Sequence, residues 1–280
     1  MLHRKSASQY TGLYRDLIAQ CSNEPVQDVI AGQTWTMVRT DQSCGLALSP
    51  LSSGIASRHA QDSHFHLRGA PLIDLAELSL SWDPREAAIG VAAINAACNI
   101  PERFKDAPET AGQDLLLKRA EGKKIGIIGH FPFVEHLRQE GCAVNVFEYH
   151  PQENDLPAAA EEYLLPEQEI VAITGSALVN KSLPRLLELS RHAWSIIIGP
   201  STPLSVLLFD YGVDALAGCI ATDPDALADV IREGGGVQDD GRAPGEVPGR
   251  AGYLLPGVGE VRPAAIFPAA ADNAAIFPEA

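Results

Sequence analysis

Four short stretches set reactive side chains beside glycines where an apolar run meets a polar one. In IGIIGHFPF (Ile125–Phe133), Gly126 and Gly129 bracket a strand-like segment, and His130, Phe131 and Pro132 lead away from it. A glycine there lets a ligand approach the backbone. His130 then either caps the following helix or stands at the mouth of a cleft as ligand or proton carrier. Nineteen residues beyond Gly129, VFEYHPQEND carries Glu148 at the spacing used by an acid that grips a ribose hydroxyl. His150, two residues on, shares a strand face with Glu148. Together with His130 they form a possible metal set, set against the plainer reading of a solvated strand end. Asp155, before Leu156-Pro157, reads as helix-start punctuation. ITGSALVN (Ile173–Asn180) and IIGPSTPLS (Ile197–Ser205) place Thr174, Gly175, Ser176 and Asn180, and Gly199, Pro200, Ser201 and Thr202, at turns entering helices. Such turns hold carboxylate or phosphate oxygens on backbone N–H groups. Alternatively Ser201 and Thr202 are N-caps. No G-x-S-x-G elbow marks Ser176 or Ser201 as a nucleophile.

Two other sets are weaker. His59, His64 and His66 lie within eight residues, without a Cys or carboxylate at zinc-finger spacing, and read as a histidine-bearing loop or a surface metal site. Cys21, Cys44, Cys98, Cys142 and Cys219 contain no C-x-x-C pair and read as small apolar residues. The cofactor stays open, a divalent or heavy metal ion being the class that His130, Glu148 and His150 would take.

Composition narrows the partners. The chain has 280 residues, 21 Lys and Arg against 36 Asp and Glu, and a formal charge of −15. That field repels phosphate backbones, and no basic run offsets it, so nucleic-acid binding is not expected. The opening MLHRKSASQYTGLYRDLIAQC has no apolar core of a secretory signal, and no stretch of about 18 uncharged apolar residues offers a membrane span. A cytoplasmic protein with no membrane or nucleic-acid partner is the expectation.

The elements that must hold these groups fall into two textures. Gln33–Ser49 reads as a β-hairpin, Leu51–Arg68 as a loop, and Leu72–Ser81 and Pro84–Asn99 as helices, the second capped by Asp83 with Pro84 at its first position. Residues 1–105 therefore suggest a small α+β domain. After the polar stretch Pro101–Gly122 come apolar runs at Lys124–Ile128, Ala143–Phe147, Glu169–Thr174, Ser195–Gly199 and Ala215–Thr222, separated by helix-sized segments. Runs apolar on both faces predict a parallel sheet covered on both sides, an α/β doubly wound Rossmann-like domain over 106–236. Ligands of such sheets bind outside the carboxyl ends of the strands, where all four motifs fall. Residues 237–280, rich in Gly, Pro and Ala and repeating Ala-Ala-Ile-Phe-Pro at 264–268 and 274–278, predict a flexible tail.

The same text resembles a known family. GKKIGIIGHFPFVEHL, VFEYHPQENDLP, EIVAITGSALVN, IIGPSTPLSVLLFDYGVDALAG and DPDAL, in that order, are similar to the bacterial and archaeal family labelled "putative heavy-metal chelation domain", largely a domain of unknown function. GQTWTMV and LIDLAELSLSWDPREAAIGVAAINA resemble its usual partner, similar in fold to an enolase amino-terminal domain. The resemblance spans roughly Gly12 to Gly236. It implies an enolase-N-like domain ahead of a Rossmann-like one, assembled as a homodimer. It also implies site positions at Gly129, His130, Phe131, Pro132, Glu148, Thr174, Gly175, Asn180, Gly199, Pro200, Ser201, Thr202 and Asp210. After Gly236, where that family continues into a short closing strand, this chain enters its Gly/Pro-rich segment. The function expected first is binding of a small anionic or metal-chelating metabolite. An enzyme of siderophore- or pterin-type metabolism acting on a nucleotide- or adenosyl-bearing substrate, and a non-catalytic metal-delivery scaffold, stay open beside it.

Overall fold

The computed structural model describes residues 10–50, 67–106, 111–235 and 261–266. Helix α1 (Tyr10–Ile18) precedes a three-stranded antiparallel sheet of β1 (Asp28–Ala31), β2 (Trp35–Arg39) and β3 (Cys44–Leu48). The expected hairpin is β2 and β3, paired from Trp35 opposite Leu48 to Arg39 opposite Cys44, and β1 adds a strand the sequence did not announce. Helix α2 (Leu72–Glu77) runs through a 3₁₀ turn at Leu78–Leu80 towards α3 (Pro84–Cys98). The Asp83 side chain accepts the Arg85 amide N–H, satisfying a donor that α3 itself cannot. From Ala87 to Cys98 nearly every residue of α3 is buried, which its small side chains permit. It comes so close to β3 that a Cβ at Gly45 would stand 2.1 Å from the Ala92 carbonyl oxygen.

A second sheet follows α4 (Gly112–Ala120). Its strands are β4 (Lys124–Ile128), β5 (Ala143–Glu148), β6 (Leu156–Pro157), β7 (Ile170–Thr174), β8 (Trp194–Ile198), β9 (Ala215–Ala221) and β10 (Val261–Ile266), in the spatial order β10-β9-β8-β7-β4-β5-β6. The pairs from β6 to β9 are parallel, and only β10 runs antiparallel. The helices between strands are α5 (Val134–Gln139), α6 (Glu161–Leu164), α7 (Leu183–Leu189), α8 (Leu207–Asp210) and α9 (Pro224–Arg232). Strand order reverses between β4 and β7, so the ligand crevice of a doubly wound sheet falls outside their carboxyl ends. The chain departs from its predicted tail at β10. Val-Arg-Pro-Ala-Ala-Ile pairs with β9, burying Ala264 and Ile266, and Pro263 is tolerated because the strand lies at an edge. It supplies a closing strand 25 residues beyond Gly236. The second Ala-Ala-Ile-Phe-Pro copy and the His59–His66 loop lie outside the described residues.

Both faces of the large sheet are covered. Leu115, Leu116 and Leu137, from α4 and α5, pack on one face with Ile125, Ile127, Ile196 and Ile198. On the other, a single apolar cluster runs from Leu13 and Leu17 of α1 through Val91 and Ile94 of α3 to Ile173, Ile197, Leu216 and Ile266. The small sheet lies between α3 and α9, with Trp35, Met37 and Leu46 against Leu227 and Ile231. Buried polar groups stitch the halves together. Asn99 Nδ2 donates to the Thr202 and Cys219 carbonyls at 3.1 and 3.2 Å, and its Oδ1 accepts the Leu204 N–H at 2.8 Å. Asn95 Nδ2 donates to Leu46 O, Ser201 Oγ accepts the Leu48 N–H, and Tyr14 Oη donates to Leu178 O. Among the described residues no helix is long and apolar enough to cross a membrane.

Removing the Asn99 amide strands three buried backbone groups that water cannot reach. Asn99→Ala is expected to lower unfolding free energy by about 3 kcal/mol, read as a fall in the urea midpoint at unchanged denaturant slope.

Candidate functional site

The end of β4 is shaped by one glycine. Gly129 has φ +100°, open to glycine at little cost, and it turns the chain so that its own N–H reaches Phe147 O on β5. The next amide, of His130, donates to Glu148 Oε1 at 3.1 Å, while the Tyr149 N–H donates to Glu148 Oε2 at 2.8 Å. Glu148 therefore spends one acceptor site on each oxygen tying the ends of β4 and β5 together, and its remaining lone pairs are uncommitted among the described hydrogen bonds.

The decisive neighbour of His130 is a residue that the sequence offered only as punctuation. Asp155 Oδ2 lies 3.2 Å from His130 Nδ1 and also accepts the Gln152 N–H at 3.0 Å. The Asp155 side chain is 0% exposed, that of His130 38%. Asp155 Oδ1 is buried with no hydrogen-bond partner among the described residues. A carboxylate facing Nδ1 holds a neutral imidazole as the Nδ1–H tautomer and leaves the Nε2 lone pair outward. The signal was present in the Asn154-Asp155 pair: Asn154 takes φ +71°, a conformation Asn tolerates, and this turn brings Asp155 back under the histidine.

The remaining expected positions divide. Thr174 Oγ1 is 3.0 Å from Ser176 Oγ and accepts the Ser176 N–H, capping a 3₁₀ turn at Gly175–Leu178 beside the β4 end. Asn180 is exposed and its Oδ1 accepts the N–H and hydroxyl of Ser182, entering α7. Phe131 is buried and stacked on Phe133, with Pro132 exposed between them. His150 is exposed, as is Asp210 at the end of α8. Gly199, Pro200, Ser201 and Thr202 are buried beneath α3 and β3, and their oxygens serve the contact between the halves. Gly175 packs onto them so closely that a Cβ would stand 2.6 Å from the Ser201 carbonyl carbon. The structure thus gathers His130, Glu148 and Asp155 at one mouth, with Thr174 and Ser176 on the adjoining strand end. It assigns Gly199–Thr202 to the wall behind.

This end of the sheet is acidic. Burial, then Glu162 and Glu148, push the Glu161 carboxyl up to about 7. Burial and Glu161 raise the Tyr149 phenol. Lys181 at the foot of α7 is driven down to about 8 by burial, its Nζ donating to Ser79 O.

A bare heavy-metal ion does not fit these residues. Among the described residues no three His, Cys, Asp or Glu side chains converge closely enough to hold one. Four of the five thiols are also withheld, because burial pushes those of Cys21, Cys98 and Cys219 up to about 12 and that of Cys44 still higher, while half-buried Cys142 donates to Ala120 O.

Comparison with known proteins agrees with this architecture. Two family models match, one over residues 14–98 and one over 111–242, both described as "Putative heavy-metal chelation". An uncharacterized protein of Methanocaldococcus jannaschii is 31% identical over 195 residues, covering 66% of this chain and 72% of that protein. The chain belongs to the family that these models describe. A crystal structure of a family member of unknown function from Desulfitobacterium hafniense superposes with a TM-score of 0.73 at 32% identity, over 82% of this chain and 94% of that one. A second, from Pyrococcus horikoshii, gives 0.64 at 21% identity over 80% and 93%, and shares the fold.

The Glu161 proton has a sign that can be checked. Folded Glu161 keeps its proton to about pH 7, whereas in the unfolded chain it is lost near the ordinary 4.5. The native state then binds more protons than the unfolded one, so this group's contribution falls as pH rises from about 4.5 through 7. Urea midpoints from pH 5 to 8 are expected to decline less steeply in Glu161→Gln than in the parent.

Proposed function

We propose that this protein binds a small anionic or metal-chelating metabolite in the crevice outside the carboxyl ends of β4, β5 and β7. The observation that carries the reading is the His130–Asp155 pair at the point where strand order reverses. A buried carboxylate holds Nδ1, so Nε2 presents a fixed lone pair at the crevice mouth. One imidazole cannot strip a metal from water by itself, and the described residues add no further convergent set. A heavy metal is therefore cargo that arrives inside its chelator, and His130 Nε2 fills a position the chelator leaves open. Glu148, at the end of β5, takes a hydroxyl or a positive group of the ligand, with exposed His150 two residues beyond it, while Thr174 and Ser176 offer hydroxyls from the end of β7 and the turn that follows. Exposed Pro132 forms the apolar side of the crevice, backed by the buried Phe131. Gly129 lets the ligand approach the backbone, and the buried Gly199–Thr202 loop holds the crevice wall in place. The family's description supports the chelate reading, and the resemblance supports a cytoplasmic homodimer.

Native mass spectrometry of the gently purified protein, set against its denatured mass, tests this. An adduct is expected on the parent, reduced at least tenfold in His130→Ala and less severely in Asp155→Asn, both variants remaining folded. An adduct of equal occupancy in His130→Ala overturns the assignment.

A further inference from the structure

The pentapeptide Ala-Ala-Ile-Phe-Pro, written at 264–268 and again at 274–278, has no part in the crevice. The first copy has a task in the sheet. Ala264, Ala265 and Ile266 form the second half of β10 and lie opposite Gly218, Ala217 and Leu216 of β9. Their side chains alternate between the two faces. Ala264 and Ile266 join the apolar cluster that runs to Leu13 and Val91, and Ala265 joins the one around Ile125 and Ile198. All three are buried, so the slot beside β9 selects side chains on both faces as well as pairing backbone. A slip by one residue would carry the isoleucine to the face where the register now holds Ala265.

The second copy presents the same residues in the same order. Seated ten residues out of register, it would set Ala274, Ala275 and Ile276 against Gly218, Ala217 and Leu216, with no change of side chain in that part of the ladder. The move lengthens the connection from α9 by the same ten residues, and the closure entropy of a loop grows only with the logarithm of its length. The two segments differ ahead of the repeat. β10 has Val261-Arg262-Pro263, whose valine belongs to the buried cluster of Trp35, Met37 and Leu227 and whose arginine donates from Nη2 to Phe104 O. The second copy has Ala271-Asp272-Asn273, which would fill the valine's space less fully and could not make the arginine's bond. The first copy is therefore the resident strand, and the second is a weaker match to the same slot. A bare β9 edge would offer its N–H and C=O groups to other chains, which gives a standby strand a use.

We propose that the slot beside β9 is a strand-docking site for two segments of this chain, β10 and residues 274–278, the second seating in cis whenever β10 leaves. The slot is separate from the crevice of His130 and does not depend on what binds there.

Hydrogen exchange of the full chain, read by mass spectrometry on peptides covering 215–221, 261–266 and 271–280, tests this. Two variants load the balance from opposite sides. Ala271→Val, Asp272→Arg and Asn273→Pro together leave β10 intact and make the two segments identical from the valine to the last proline. The 261–266 peptide should then exchange at least about tenfold faster than in the parent, with 215–221 unchanged, because an equal strand takes the slot when β10 leaves. Ile266→Asp instead expels β10. Protection is expected to appear in 271–280 while 215–221 stays within about threefold of the parent, and adding Ile276→Asp should speed 215–221 at least about tenfold. An unchanged 261–266 peptide in the triple variant overturns the proposal, as does a 215–221 peptide equally fast in Ile266→Asp and in the double variant. Protection of 271–280 that vanishes on dilution, with dimers in native mass spectra, gives the slot to a second copy's segment and overturns the assignment in cis.

Discussion

At the centre of the molecule a helix of small residues meets a loop whose backbone has no sheet to bond to. The loop Gly199–Leu204 leaves β8 beneath α3, away from water, and its carbonyl and amide groups would be costly to bury alone. Asn99, one residue past the end of α3, supplies both donor hydrogens and an acceptor, bridging Thr202, Leu204 and Cys219. Asn95, one turn earlier, joins Leu46 on the small sheet to Pro200. Through these two amides the small sheet, α3 and the carboxyl ends of β8 and β9 form one interior, and the apolar cluster around them spans both sheets.

That arrangement decides which strand ends remain available. The β8 loop is covered, whereas His130, Glu148 and Asn180 near the ends of β4, β5 and β7 are not fully buried. There the backbone amides of His130 and Tyr149 are held by Glu148, and the imidazole is held by Asp155. What these strand ends present is less a cradle of amides than a side chain held by its neighbour. The buried, protonated thiols of Cys21, Cys98 and Cys219 serve the core and add no donors to these strand ends.

The two edges of the large sheet have opposite electrostatic character. At the carboxyl ends of the strands Glu148 and Asp155 hold His130, and burial, with the charges of Glu162 and Glu148, holds a proton on Glu161 towards neutrality. At the amino ends Arg119 and Lys123 outnumber Glu169. A parallel sheet produces this separation because every strand presents its carboxyl end on the same side, so loops of like role collect together.

Most of the fold was legible in the chain because it is written in local patterns. Doubly apolar runs announced five strands of the large sheet within a residue or so, and Asp83-Pro84 marked the helix start it occupies. Strand β10 was not legible, since an edge strand containing proline within a Gly/Pro-rich stretch is defined by its partner and not by its own composition. The site divides along the same line. His130 and Glu148 stood out because a glycine and a strand end lie next to them in sequence. Asp155 did not, because its meaning lies in a contact across 25 residues, made by a turn through Asn154. Likewise Ser201 and Thr202 look in sequence like an oxyanion cradle, and only packing against α3 and β3 gives them a structural task. Residue type and spacing determined which groups could do chemistry here. Tertiary structure decided which are exposed to do it, because burial and hydrogen-bond partners are set by segments far apart in the chain.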